Sequence, residues 1–245
     1  MTGFDFADPE RGLSGTVRRS GAALLFDHED VLAASPEASV ELGDSDDTTS
    51  ARVSLDGVTL ELELAPVGQS VSLETEGLGA EEMTVCRVLG ELRRDGAAEE
   101  VACLGVRSAG GSEPDFSQLE LTRSVAVAFS DGGMLALRAA RPRGAQGHGD
   151  ERTAAVVASA DGEVTRIEQA LLSTQYDEAG RHVRATLELW AAGPEPGPPL
   201  RAAGSIVCGT SLALGDQRLD VAFFRWSISG RPGLGRYEVL AGQGD

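Results

Sequence analysis

The groups in this chain whose type and spacing could do chemistry are a few carboxylates, a few arginines and three small sets of aromatics. Arg107 precedes an acidic loop that carries Glu113 and Asp115. A carboxyl held in an apolar pocket keeps its proton to higher pH and can donate it to a substrate. In a solvated loop the same three residues would be no more than a surface ion pair. Glu238 is the second acid. It follows Tyr237 after the glycine-rich turn Gly230 to Gly235, and strand alternation sends the two side chains to opposite faces. An inward Glu238 would need a cation such as Arg123 or Arg225, and that pair could be structural or could polarise a ligand. Phe223-Phe224-Arg225-Trp226 is the densest aromatic run. Phe224 and Trp226 fall on one face, which either lines a cavity for an apolar ligand or packs a core. Tyr176 and Trp190, in the two arms around the turn Asp177 to Gly180, form the third aromatic set and read as rim packing.

Other chemistries find no support. No Gly-x-Ser-x-Gly elbow is present, so no hydrolase signature stands out. The glycines at 230 to 235 are followed by neither a helix nor a Lys-Ser/Thr pair, which discounts a phosphate loop. Three histidines (His28, His148, His182) and three cysteines (Cys86, Cys103, Cys208) give no zinc spacing. His148 lies in a glycine-rich loop and reads as solvated. Cys86 and Cys103 could face each other across neighbouring strands, but buried free thiols are the simpler expectation. No metal or other cofactor is expected.

The 245 residues carry 39 acidic and 21 basic side chains, a formal charge of -18, and every basic residue is arginine. Such a balance argues against nucleic acid and against anionic membrane surfaces as partners. A hydrophobic fraction of 41% supplies a real core. The start, MTGFDFADPERGL, has no basic, apolar or small-residue signal pattern, and no run approaches a membrane span, so a cytoplasmic location is expected.

The elements that must position these groups are strands. Val58 to Leu64 and Val183 to Leu189 alternate apolar and polar without a fault, and Leu119 to Phe129 is similar. Further strands are expected at Gly15 to Arg18, Ala22 to Phe26, Ser70 to Thr75, Thr84 to Leu92, Glu100 to Gly105, Met134 to Arg138, Thr153 to Ser159, Val164 to Leu171, Ala202 to Leu212, Leu219 to Ser227 and Arg236 to Leu240. Asp-Gly pairs at 56–57, 95–96, 131–132 and 161–162 are two-residue hairpin signals. His28 to Ala38 and Gly77 to Met83 could each hold a short turn of helix. Loops are expected at Asp44 to Ser50, Ala109 to Asp115, Pro142 to Glu151 and Gly193 to Pro199. Fifteen to eighteen strands exceed one small barrel. The expectation is therefore an all-β chain of two antiparallel barrel or sandwich halves, residues 1–112 and 113–245.

From Thr84 onward the order of features resembles a lipocalin-like family, that of carotenoid 1,2-hydratase (hydroxyneurosporene synthase) and the AttH-like proteins. The matching pieces are Cys86-Arg87-Val88-Leu89-Gly90-Glu91-Leu92, then Gly105-Val106-Arg107-Ser108-Ala109-Gly110-Gly111, Phe116 to Arg123, Phe129-Ser130-Asp131-Gly132, and Ser229 to Glu238. Of the family's His-Ser-Trp-Gly element this chain keeps Arg107, Ser108 and a glycine, and lacks the histidine and tryptophan. The resemblance implies two lipocalin-like barrel domains. In the hydratase it also implies addition of water to an isolated alkene, which needs an acid and a pocket that tolerates a carbocation.

Two functions follow as expectations. One is binding of an apolar small molecule of terpenoid, polyketide or fatty-acyl type, with Arg107, Arg123, Tyr176, Trp190, Phe224, Trp226 and Tyr237 around it. The other is acid-catalysed hydration or isomerisation of an isoprenoid-like alkene, with Asp115 or Glu238 as the acid. An interaction protein using a sheet edge or the acidic surface, with a second copy as partner in a homodimer, is a third arrangement.

Overall fold

The computed structural model describes residues 3–45, 48–193 and 197–242. Parts of the loops expected at Asp44 to Ser50 and Gly193 to Pro199 fall outside these, as does the side chain of His148. Among the described residues every regular element is a strand, apart from one short 3-10 turn at His148–Asp150.

The first ten strands are β1 (Gly3–Asp8), β2 (Leu13–Arg18), β3 (Ala23–Asp27), β4 (Asp30–Ser35), β5 (Ser39–Asp44), β6 (Thr49–Leu55), β7 (Val58–Pro66), β8 (Val71–Thr75), β9 (Gly79–Arg94) and β10 (Ala97–Gly110). They form one antiparallel sheet in the order β4-β3-β2-β1-β10-β9-β7-β6-β5, with β8 also on β9. This sheet curls until side chains from both ends share one core: Phe4, Phe6 and Leu25 meet Val53, Leu60 and Leu64. Gly90 makes the curl possible. A Cβ there would lie 2.0 Å from the Glu61 carbonyl oxygen, so only glycine lets β9 press this closely on β7.

The remaining strands are β11 (Leu119–Phe129), β12 (Met134–Pro142), β13 (Arg152–Ala158), β14 (Val164–Tyr176), β15 (His182–Ala191), β16 (Leu200–Leu214), β17 (Gln217–Ile228) and β18 (Arg231–Gly242). Each pairs with the next, and β18 returns to β11, closing an eight-stranded barrel. Closure removes both edges from this sheet, whereas the first sheet keeps β4 and β5 as edges. The barrel lumen is packed. Val125, Val127, Leu135, Leu137, Leu187, Leu189, Phe224, Trp226 and Tyr237 point inward and are each at most 1% exposed.

The two sheets meet through their outer faces. Met83, Val85 and Val106 pack on Ala126, Met134 and Val156. On the other flank Ala7, Leu24 and Phe26 pack on Leu219, Val221 and Phe223. These faces are apolar on strands whose opposite faces are also apolar, which is why Val125 to Phe129 of β11 and Met134 to Leu137 of β12 are unbroken hydrophobic runs.

The hairpin signals divide in two. Asp56-Gly57 and Asp95-Gly96 have positive φ at both residues, the two-residue turn expected. At 131–132 and 161–162 only the glycine is positive, and the longer loops close through Phe129 N–H to the Gly133 carbonyl and Ser159 N–H to the Glu163 carbonyl. Neither expected helical turn forms. His28 to Ala38 contains the β3–β4 turn and β4, because pairing with β3 buries Ala33. Gly77 to Met83 contains the start of β9, pinned by β8.

Candidate functional site

Glu238 points away from the barrel lumen into the seam between the sheets. β18 carries Tyr237 and Val239 on its lumen side, so Arg236 and Glu238 must face out, and there the first sheet covers them. Arg236 Nη1 stands 2.6 Å from Glu238 Oε2, and Arg18 of β2 reaches the same carboxylate. Arg236 Nε donates to Asp5 Oδ2 at 2.7 Å, and its Nη2 donates to Ser124 Oγ at 3.3 Å. Nearby, Arg138 Nε lies 2.9 Å from Glu81 Oε2, and Arg138 donates to the Gly79 carbonyl at 3.0 Å. Burial alone would raise the Glu238 carboxyl, but the charges and hydrogen bonds of Arg18 and Arg236 outweigh it and hold the group below its ordinary range. Burial lowers Arg138 despite the charge of Glu81, while Asp5 and Glu238 overcome burial to hold Arg236 above its usual value. The partners of Glu238 are therefore Arg18 and Arg236, rather than Arg123 or Arg225. A void of about 10 Å3 lies beside Asp5, with Gly105 and Gly235 on its walls, room for one water at most.

Arg123 points into one end of the lumen, where it pairs with the buried Glu151 and donates to the Leu172 carbonyl at 3.3 Å. Tyr237 Oη shares a 2.6 Å hydrogen bond with Thr174 Oγ1. His182, also buried, sets Nε2 2.9 Å from the Tyr237 carbonyl and stacks on Phe224 with centroids 5.6 Å apart. Burial pushes the His182 imidazole below its ordinary value and the Tyr237 phenol above its own. Phe224 and Trp226 share a face, as alternation requires, and fill the lumen together with Tyr237. His182 was absent from the sequence-level candidates. Its signal was its place at the start of the alternating run that follows the Asp177 turn.

The other sequence candidates are dispersed. Arg107 lies at the rim of the curled sheet and donates from Nη1 to Thr49 Oγ1 at 3.1 Å. Asp115 is in the exposed connection between the sheets. Hydrogen bonds from Ser117 hold its carboxyl below the ordinary value. Tyr176 is 52% exposed at the end of β14 and pairs with His182, whereas Trp190 pairs with Gln169 at the far end of the same hairpin. The three thiols are free. Burial pushes Cys86 up to about 11 and Cys103 and Cys208 up to about 12, which leaves them unreactive near neutrality.

A broad concavity lies on the outer wall of the barrel. A groove of about 540 Å3 crosses β14 to β17, lined by Leu171, Ser173, Thr186, Glu188, Arg201, Ala203 and Ser227 among others. Register explains it. Ser173 pairs with Thr186, Thr186 with Ala203 and Ala203 with Ser227, so a row of small outward side chains crosses four strands. On one bank Leu171 pairs with Glu188 and Glu188 with Arg201, with Arg201 Nε 3.1 Å from Glu188 Oε1. On the other side, one row beyond the lining, Arg184 pairs with Ser205 and Ser205 with Arg225. Sequence reading left these residues as the water-facing half of each strand. Only cross-strand register aligns the small ones.

No family model and no curated protein matches the chain. Solved structures do. A protein of Nitrosomonas europaea described only provisionally as AttH superimposes with a TM-score of 0.65 at 13% identity, covering 95% of this chain and 81% of its own. Kievitone hydratase of Nectria haematococca superimposes with a TM-score of 0.58 at 10% identity, covering 98% and 87%. The chain thus has the fold of the AttH- and hydratase-like lipocalin proteins, with one half a closed barrel and the other a curled sheet. No helix among the described residues is long and apolar enough to cross a membrane.

Proposed function

We propose that this chain binds an apolar small molecule of terpenoid, polyketide or fatty-acyl type, and that the groove across β14 to β17 holds it. The carrying observation is the groove itself. Its volume of about 540 Å3 falls in the range of small-molecule sites, roughly 300–1,000 Å3. The lumen of the closed barrel is occupied by Phe224, Trp226 and Tyr237 and leaves a ligand no room. Binding moves from the interior, where the fold suggests it, to the wall.

Binding is favoured over catalysis by the state of the acids. Hydration of an alkene needs a protonated carboxyl facing an apolar pocket. Glu238 is held charged by two arginines, Glu151 is paired with Arg123 and Glu81 with Arg138. Asp115 is exposed and also held charged. The hydratase among the structural neighbours supports a common fold at 10% identity, and its activity is its own. The division of the chain at residues 112 and 113 belongs to the same reading, in the stretch between the end of β10 and the start of β11.

The test is a titration with Nile red, a neutral dye that fluoresces in apolar surroundings. Wild-type protein is expected to enhance it. Ala203→Trp fills the groove floor from the exposed face and is expected to weaken binding at least about tenfold without altering the fold. Dye binding that survives both Ala203→Trp and Thr186→Trp overturns the assignment of the groove.

A further inference from the structure

We infer that the groove takes an amphipathic anion, a molecule with an apolar body and a carboxylate or phosphate head, and that Arg184 and Arg225 hold the head. The inference rests on the groove being the ligand site. In a chain with 39 acidic and 21 basic residues some exposed arginines meet a carboxylate, while others, Arg87 and Arg166 among them, have no ion pair among the described residues. Arg181 Nη2 lies 2.8 Å from Asp177, and Arg231 Nη2 lies 2.8 Å from Asp131. Arg184 and Arg225 are exposed as well, yet among the described residues neither has an ion-pair partner.

Their placement is defined by register. Both are paired with Ser205, one from each side, so their backbones stand two strand spacings apart, about 10 Å. Arg184 is two residues from Thr186, and Arg225 two from Ser227, on the faces that form the groove floor. Two guanidiniums reaching over one serine hydroxyl can converge on a single anionic group. Their planar forks match the oxygens of a carboxylate or a phosphate. On the opposite bank the exposed Arg201–Glu188 pair is already neutralised. The groove therefore carries a local positive excess in a molecule of charge -18. A cationic ligand would meet unpaired arginines, and a neutral one would leave them unused. The apolar body would lie along Ala203 toward Leu171.

The experiment is calorimetric titration of the full chain with three probes of equal tail: decanoate, decyl phosphate and 1-decanol. An acid is expected to bind at least about tenfold tighter than 1-decanol, and to weaken as salt rises while 1-decanol does not. Which of the two acids is favoured separates a carboxylate from a phosphate head. Arg184→Gln combined with Arg225→Gln removes no fold contact and is expected to abolish the advantage while leaving 1-decanol binding intact. If all three probes bind alike, or the double variant changes nothing, the head-group assignment falls. The groove itself then stands so long as Ala203→Trp blocks 1-decanol. If no probe binds in a way that Ala203→Trp blocks, both readings fall together.

Discussion

Glu238 shows how little a side chain's identity says about its work. As an acid in an apolar setting it could have kept a proton, but two arginines from different halves of the chain keep it charged. Removing one partner of a buried pair costs more than the pair contributes, since the other charge stays desolvated. Glu238→Ala is therefore expected to destabilise the protein by about 3 kcal/mol, read as a lower urea midpoint at unchanged slope. A loss below about 1 kcal/mol would mean that Asp5 alone satisfies Arg236. The pH dependence has a definite sign. The folded carboxyl titrates below its ordinary 4.5, so its stabilisation is complete above that value and is lost as pH falls through the lower folded one. Glu238→Gln should flatten the acid limb of a stability–pH curve, and Nile red binding should be unaffected. Alternation made Phe224 and Trp226 legible as sharing a face and Tyr237 and Glu238 as opposed, but it could not say which face was inward or that the space inside was full.

At the scale of the element, alternation and turn chemistry set most of the architecture. Val58 to Leu64 buries every second side chain as its pattern demands. Where local pattern was weak, pairing decided: β4 and β9 took strands where the sequence allowed a helical turn, because neighbours offered ladders. β1, β5 and β6 carried no run strong enough to name, and they too were recruited as partners. Gly90 is the point at which an element shapes a whole sheet. Gly90→Ala is expected to cost about 2–3 kcal/mol, because the added methyl meets backbone rather than a flexible side chain. Gly147→Ala, where a Cβ meets nothing within 4 Å, should stay within about 0.5 kcal/mol of wild type. Equal midpoints in urea for the two variants would refute the close approach of β9 to β7.

For the whole molecule, the seam is the main consequence of packing two sheets by their outer faces. Its apolar flanks and central ion network bind the curled sheet to the barrel. Phe26 and Phe223 meet across it edge to face, with centroids 5.9 Å apart. Both tryptophans, Trp190 and Trp226, lie in the barrel, so their fluorescence reports on that half alone, while far-ultraviolet dichroism reports on both. The two signals are expected to share one unfolding midpoint. Phe223→Ala should cost about 3 kcal/mol of stability and lower that midpoint while the signals remain coincident. Separate midpoints in the wild type would show that the seam does not couple the halves.

Residue spacing by itself determined the all-β class, several of the antiparallel hairpins and, in the alternating runs, which side chains share a face, because these depend on period two and on turn stereochemistry within a few residues. It could not determine that eight strands close while ten curl, that Glu238 meets Arg18 rather than a ligand, or that Ser173, Thr186, Ala203 and Ser227 align into a groove. Those are facts of register and of contact between residues as far apart as Arg18 and Glu238. Such contacts depend on the sum of all pairings, and only the tertiary structure carries that sum.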